Sequence, residues 1–246
     1  MKKIELIFGI HTVTTVLQKA PDTILELYVQ KGRMDINFQK LTQFALANDI
    51  SVVELERHKL DALVSGQNHQ GIVAKSRTSM QYSEADLKHL LSNLTEPPFL
   101  LVLDGIQDPH NLGACLRSAN AAGAHMVIAP HDKAVGLTPV ARKIACGAAE
   151  ITPFIQVTNL ARTLNYLKEL GIWLYGTADN ATHSLYETDL KGPIAFVLGA
   201  EGKGVRRLTR ELCDYSIAIP MLGAVSSLNV SVAAGVCLYE AVRQRL

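Results

Sequence analysis

The sequence predicts an α/β protein with two units, of which the second contains a parallel sheet covered by helices on both faces. Apolar runs alternate regularly with helix-like segments from Phe99 onward, and this alternation is typical of such a sheet. A shorter α/β pattern precedes a polar stretch that ends in Pro97-Pro98, and a proline pair of this kind ends a helix. We therefore expect a small unit over residues 1–76, a linker over 77–98 and a larger unit over 99–246.

The first unit is predicted to be a small α/β fold, and the linker is predicted to hold one helix that starts at Ser83. Short apolar runs favour strands at 25–29, 50–55 and 71–74, with a helix over 39–47.

In the second unit, five buried strands and five helices are expected. The strands are Phe99–Leu103, Met126–Ala129, Ile172–Tyr175, Ile194–Leu198 and Ser216–Ile219, and the helices are Leu112–Ala122, Pro139–Ala148, Leu160–Leu170, Val205–Leu212 and Ser227–Arg245.

Composition excludes several classes of protein. The charge-free segment 221–239 has the length of a membrane span, but serines, an asparagine and two glycines interrupt it, so a buried amphipathic helix is the better interpretation. The N-terminus does not resemble a signal peptide, and we expect a cytoplasmic protein without a membrane segment. Four scattered cysteines form neither a disulfide framework nor a zinc motif. The formal net charge of +1 means that a basic surface for nucleic acid would have to be local.

The segment that opens the last helix concentrates polar groups in an apolar context. Ser226, Ser227, Asn229 and Ser231 stand among apolar residues. A buried polar group without a partner costs roughly 1–3 kcal/mol. We therefore interpret this segment as part of a site.

Two further loops follow predicted strands. The first, 104–111, leads into a helix with Asn111 as the predicted N-cap, and Arg117 lies well off that helix's apolar stripe of Leu112, Cys115, Leu116 and Ala119. Taken alone, Arg117 is better interpreted as a solvated surface arginine. Because parallel strands end at one edge of a sheet, these loops and the segment at 220–229 are expected to meet.

The second loop, Gly199 to Gly204, has three glycines in six residues. It matches neither phosphate-binding glycine motif, and a plain strand-to-helix turn is the alternative. Glu201 could then simply favour the positive end of the helix dipole.

Three stretches carry a resemblance to a known family. They are Asn111-Leu112-Gly113-Ala114-Cys115-Leu116-Arg117-Ser118-Ala119, then Gly199-Ala200-Glu201-Gly202, then Ile219-Pro220-Met221 with Ser227-Leu228-Asn229-Val230-Ser231-Val232-Ala233. In this order they resemble the motifs of the SpoU branch of SPOUT methyltransferases. Upstream, Phe8-Gly9-Ile10-His11 and His69-Gln70-Gly71-Ile72 resemble the L30e-like RNA-binding domain of bacterial 23S rRNA guanosine 2'-O-methyltransferases.

The resemblance implies S-adenosylmethionine-dependent methylation of a ribose 2'-hydroxyl of 23S rRNA. It also implies a homodimer and a deep trefoil knot in the C-terminal domain, and it calls for no metal. Carried over by position, the catalytic residues are Arg117, Asn111, Glu201, Ser227 and Asn229. The cofactor is expected against Gly199, Ile219 and Leu228, with Thr177, Gly202 and Met221 nearby.

Two questions stay open at this point. Related enzymes that modify an adenosine of 23S rRNA or a tRNA are alternatives, as is a non-catalytic RNA-binding protein. An arginine is also a poor base, since its pKa lies above about 12. Arg117 is therefore either a transient base or a group that stabilises negative charge developing on the 2'-oxygen, and we favour the second.

Overall fold

The computed structural model describes residues 4–33, 35–77, 82–178, 181, 183–200, 202 and 204–246. The chain divides into two compact units: 1–80 with 146–151, and 81–145 with 152–246.

The first unit is a mixed sheet with helices. Its elements are β1 (Ile4–Phe8), α1 (Ile10–Lys19), β2 (Ile24–Gln30), α2 (Ile36–Ala47), β3 (Ser51–Leu55), α3 (Arg57–Leu63) and β4 (Ile72–Arg77). Within the described residues, the sheet order is β1-β4-β2-β3, with β4 antiparallel to both neighbours and β2 parallel to β3. The sequence analysis found β2, α2, β3 and β4 and missed β1, α1 and α3.

The second unit alternates helices and strands as predicted. Its elements are α4 (Glu84–Ser92), β5 (Phe99–Asp104), α5 (Pro109–Ala121), β6 (Met126–Pro130), α6 (Pro139–Ile144), β7 (Phe154–Val157), α8 (Leu160–Glu169), β8 (Trp173–Thr177), β9 (His183–Ser184), β10 (Ile194–Gly199), α9 (Arg207–Leu212), β11 (Tyr215–Ala218) and α10 (Val230–Arg245), while α7 (Ala148–Ile151) groups with the first unit. The helix expected over 139–148 ends at Ile144 instead. Cys146 and Gly147 have positive φ and separate it from the short helix α7.

The sheet of the second unit is parallel throughout the described residues. Its order is β7-β6-β5-β10-β8-β11-β9, and every recorded pairing is parallel. The strand β10 lies between β5 and β8, and its last residue, Gly199, pairs in register with Asp104 of β5. The predicted α/β class with a parallel sheet is confirmed.

Helix α4 lies in the segment expected to be a linker, and it packs into the core of the second unit. Its start is fixed by a capping box, in which the Asp86 carboxylate accepts hydrogen bonds from the Ser83 backbone N–H and Oγ, both at 2.7 Å. Leu87 and Leu91 are buried in the same core as β5 and β6. These two apolar residues at i and i+4 pack this short polar helix on the second unit.

The C-terminal end of α10 is also held firmly. Arg245 Nε donates to the Leu190 carbonyl at 3.0 Å, and its Nη2 donates to the Gly192 carbonyl at 2.7 Å. The guanidinium carbon lies 4.4 Å from the centre of the Phe99 ring, a cation–π distance.

No helix among the described residues is long and apolar enough to cross a membrane.

Candidate active site at the carboxyl edge of the parallel sheet

The carboxyl ends of four neighbouring strands form one edge of the second unit. In the order β5, β10, β8 and β11, these strands end at Asp104, Gly199, Thr177 and Ala218. Because all four are parallel, the loops that follow them leave the sheet on the same side. The three loops singled out in the sequence therefore start from one edge.

Helix α5 begins earlier than the sequence predicts. The N-cap is Asp108, whose Oδ1 accepts from the His110 backbone N–H at 2.9 Å, and Pro109 occupies the first turn. Proline suits that position because its missing N–H has no partner there in any helix. The prediction that Asn111 is the N-cap was wrong, and Asn111 lies inside the first turn of α5.

The apolar stripe of α5 is confirmed. Leu112, Cys115, Leu116 and Ala119 are all buried, whereas Arg117 is exposed. Helix α6 packs closely on this helix, since a Cβ at Gly113 would lie 2.5 Å from the Ala141 carbonyl oxygen. The buried stripe therefore fixes α5 and directs Arg117 away from the core.

The polar segment before the last helix differs from the prediction. Helix α10 starts at Val230, not at Ser227, and residues 221–229 are irregular. Ser226, Ser227 and Asn229 are exposed, so the argument that they are polar groups entering a core was wrong. They lie on the surface of the single chain, and only Val230 and the residues after it enter the core.

One hydrogen bond joins the first and third loops. Asn229 is the N-cap of α10, and its Oδ1 accepts from the Ser231 backbone N–H at 2.9 Å and from Ser231 Oγ at 2.6 Å. Its Nδ2 donates to Asn111 Oδ1 at 2.9 Å. Further along, a Cβ at Gly235 would lie 3.9 Å from Ser118 Oγ, so α10 runs beside α5. The structure thus brings together two predicted site residues that are 118 positions apart.

The glycine-rich loop after β10 folds back over the end of its own strand. A Cβ at Gly199 would lie 1.9 Å from the Gly204 carbonyl carbon and 2.1 Å from the Val205 nitrogen, distances that no side chain allows. Gly202 and Gly204 have φ of +71° and +62°, in the region that favours glycine. The Gly204 N–H closes the turn by donating to the Ala200 carbonyl at 2.8 Å. Glu201 and Lys203 lie outside the described residues.

An ion pair with a buried carboxylate lies beside this loop, and the sequence analysis did not predict it. Asp104 is 1% exposed. Its Oδ2 accepts from the Arg206 backbone N–H at 3.0 Å, and its Oδ1 accepts from Arg206 Nε at 2.6 Å and also pairs with Nη2. An aspartate directly after a run of five apolar strand residues was the available signal.

The remaining positions predicted for the cofactor combine backbone and apolar groups. Thr177, Ile219, Leu228 and Met221 are half-buried, and Gly202 is exposed. Thr177 Oγ1 donates to the Val197 carbonyl at 3.4 Å, and this hydrogen bond joins the end of β8 to the neighbouring strand β10. Half-buried apolar side chains with strand-end backbone groups suit an adenosine moiety. Among the described residues, no three His, Cys, Asp or Glu side chains are grouped as a metal site would need.

Two family models account for most of the chain. The model of the SpoU rRNA methylase family matches residues 98–239, which contain all three motif segments. The chain belongs to the SpoU rRNA methylase family. A second model, for substrate binding by RNA 2'-O ribose methyltransferases, matches residues 6–82. The family resemblance predicted from the sequence is confirmed.

Curated relatives of this SpoU protein match over its full length. A protein of Photorhabdus laumondii is 56% identical over 241 residues, which are 98% of each chain. One of Shewanella oneidensis is 54% identical over 245 residues, which are 100% of this chain and 99% of the relative. Both are named 23S rRNA (guanosine-2'-O-)-methyltransferase RlmB.

Solved SpoU structures share the fold. The crystal structure of an RNA 2'-O ribose methyltransferase matches with a TM-score of 0.78 and 28% identity, covering 99% of this chain and 90% of that one. The SpoU methyltransferase AviRb of Streptomyces viridochromogenes, in complex with the cofactor AdoMet, matches with a TM-score of 0.77 and 24% identity, covering 98% and 90%.

Proposed function

We propose that this protein is a 23S rRNA (guanosine-2'-O-)-methyltransferase that uses S-adenosylmethionine. The observation that carries the proposal is the full-length match, at 56% identity, to a relative with that name. The match includes the first unit, so it covers the RNA-selecting part of the chain as well as the methylase part. The complex of AviRb with AdoMet supports the choice of cofactor.

The proposed cofactor position is the carboxyl edge formed by β8, β10 and β11. Gly199, Ile219 and Leu228 would contact it, with Thr177, Gly202 and Met221 as neighbours. The ends of these three strands are adjacent, and Gly199, Gly202 and Gly204 carry no side chain there that could block the approach of a ligand. When bound, the cofactor supplies a methyl group activated by a sulfonium.

In the proposed reaction the ribose 2'-oxygen would form a bond to the methyl carbon as that carbon's bond to sulfur breaks. The electron pair of the broken bond would stay on the sulfur of the thioether product, and the hydroxyl proton would go to solvent. Arg117 binds the adjoining phosphate and stabilises negative charge as it develops on the oxygen. Asn111, Ser227 and Asn229 orient the ribose and the loop, and the hydrogen bond between the two asparagines holds them in place. Glu201 is proposed to orient Arg117.

The first unit is proposed to select the RNA. Arg57, His58 and Lys59 are exposed at the start of α3 and are available to phosphates. Arg33 is used differently, because its Nε pairs with the Asp35 carboxylate at 2.6 Å and its guanidinium stacks 4.6 Å from the centre of the Phe38 ring.

Five further statements complete the proposal. The protein acts as a homodimer, the second unit contains a deep trefoil knot, and the enzyme works in the cytoplasm, where ribosomes are assembled. The domain boundaries are proposed at 1–76 for RNA binding and 99–246 for catalysis, and the segment 77–98 links them while its helix α4 packs on the second unit. No metal takes part in the proposed reaction.

The deciding experiment incubates the purified protein with labelled S-adenosylmethionine and 23S rRNA that lacks 2'-O-methyl groups, with tRNA in parallel, and maps the label. We expect label on one guanosine ribose of 23S rRNA. Label on an adenosine or only on tRNA would keep the chemistry and overturn the substrate. Cofactor binding without label on naked rRNA would call for the same assay with ribosome assembly intermediates, and failure of that assay would contradict the proposed activity.

A further inference from the structure

The ion pair of Asp104 with Arg206 lies at the carboxyl edge of the parallel sheet in the second unit. The Asp104 side chain is fully buried, whereas that of Arg206 is 47% exposed. Asp104 is the last residue of β5, and its partner in register on β10 is Gly199. The carboxylate therefore lies where the loop that leads to α5 and the glycine-rich loop leave neighbouring strands.

The same carboxylate holds both the backbone and the side chain of one residue. It accepts the Arg206 backbone N–H at 3.0 Å and the Nε at 2.6 Å. Arg206 directly precedes α9 and follows Val205, whose nitrogen would lie 2.1 Å from a Cβ at Gly199. The turn from Gly199 is thus closed at two points, at the Ala200–Gly204 hydrogen bond and at Arg206.

We propose that Asp104 and Arg206 are positioning residues that hold the backbone of Gly199, Gly204 and Val205 in the arrangement that binds S-adenosylmethionine. This inference rests on the proposed cofactor position at Gly199. Gly202 and Gly204 both have positive φ, and glycine, which lacks a Cβ, can also adopt many other backbone conformations. A binding site built on such a backbone needs a fixed support. The two anchors on Arg206 supply that support from the neighbouring strand.

A different role for Arg206 makes a different prediction. An arginine near the active edge can also bind an RNA phosphate. Such a contact would affect RNA binding and its salt dependence, and it would leave the affinity for the free cofactor unchanged. The affinity for S-adenosylmethionine in the absence of RNA therefore separates positioning from phosphate binding.

The test measures S-adenosylmethionine binding calorimetrically, without RNA, for the full chain and for Arg206→Lys, Asp104→Asn and the double variant. Lysine keeps the charge and loses the fork that makes two contacts, and asparagine keeps the shape of the aspartate. Arg207→Lys is the matched control, because Arg207 is the adjacent arginine and its 3.2 Å pair with Glu211 is exposed. Thermal unfolding of each variant and filter binding of 23S rRNA accompany the calorimetry.

We expect each single variant to weaken cofactor binding about tenfold or more, since small misplacements of a binding group have large effects. The double variant should lose less cofactor affinity than the two single variants added together, because both substitutions remove the same contact. Arg207→Lys should leave the affinity unchanged.

Unchanged cofactor affinity in folded variants would overturn the proposal, and weaker RNA binding alongside it would assign Arg206 to a phosphate. If both single variants fail to fold, the pair is a requirement for folding and the positioning role is rejected. Wild-type protein that binds no cofactor would instead contradict the proposed function.

Discussion

At the scale of single residues, Arg117 is exposed on α5, on the side of the helix opposite the buried stripe. Its exposure suits the role proposed for it, which is contact with substrate. Substitutions there should therefore affect catalysis and leave stability nearly unchanged, as is usual for surface positions.

We expect Arg117→Ala to lower kcat/KM for 23S rRNA by about 10²–10³-fold, the size typical for loss of a group that stabilises developing charge. Cofactor affinity and thermal stability should stay close to wild type. Arg117→Lys should retain part of the activity, because the charge remains and the planar fork is lost. Tritium transfer at saturating cofactor measures both variants. Activity of the alanine variant within threefold of wild type would contradict the assigned role.

Gly199 is a second residue with a sharp prediction. In Gly199→Ala the new methyl would overlap the backbone of Gly204 and Val205, so the turn must move. We expect a strong loss of S-adenosylmethionine binding, measured by calorimetry. Gly192→Ala is the matched control, because nothing lies within 4 Å of a Cβ at Gly192. Equal affinities of the two variants would show that the turn does not bind the cofactor.

At the scale of elements, α10 is anchored by charge near its C-terminal end. Hydrogen bonds from Arg243 and Gln244 lower the pKa of Glu240 from 4.5 to about 2. Gln244 in turn donates to the Thr188 carbonyl at 2.9 Å and accepts from the Leu190 N–H at 2.9 Å. The ionised Glu240 therefore belongs to a network that fixes α10 on the chain around residue 190.

This network predicts a pH dependence. The pKa of Glu240 is lower in the folded chain than in the unfolded one, so its ionised form stabilises the fold fully above about pH 5, and the contribution disappears as pH falls towards 2. The free energy of unfolding of Glu240→Gln should therefore fall below wild type at neutral pH, with a gap that closes at low pH. Urea titrations between these pH values measure the gap.

Glu211→Gln is the control for the Glu240 experiment, because its ion pair with Arg207 is exposed and exposed pairs contribute little. A gap for Glu240→Gln that stays constant with pH would contradict the assigned network.

Elements also show what the sequence could predict. The strands β5, β6, β8 and β10 are apolar runs and were found, because burial on both faces leaves a clear pattern. The start of α5 was placed too late, because Asn111 and Asp108 are both good caps and only the structure shows which one accepts a backbone N–H. The start of α10 was placed too early, since exposed serines and a capping asparagine read alike in a sequence.

Within the site, motif order found Asn111 and Asn229, and it could not show that their amides are bonded to each other. Asp104 was missed because its partner is 102 residues away, and no local pattern reports a contact at that separation.

At the scale of the whole molecule, the proposed homodimer accounts for exposed apolar residues near the site. Leu222, Val225 and Val232 are 101%, 67% and 51% exposed, although each belongs to the segment 221–239. Apolar side chains that are exposed in a single chain can become covered in an interface between two chains.

We expect the protein to have twice the chain mass by size exclusion with light scattering, and Val232→Glu to shift it towards the monomer because a charge would be buried in the interface. Leu170→Glu is the control, since Leu170 is 48% exposed, follows α8 and is not part of the segment 221–239. A wild-type monomer, or equal behaviour of the two variants, would contradict the proposed interface.

The order of strands in the parallel sheet has a further consequence during synthesis. Strand β5 pairs on one side with β6, which follows it closely, and on the other with β10, which ends 95 residues after β5. At ordinary translation rates that interval lasts roughly 5–20 s. Throughout it, the nascent chain carries an apolar strand with one open edge, the kind of surface that invites pairing with other chains. Expression at lower temperature or with more chaperone should therefore raise the soluble yield.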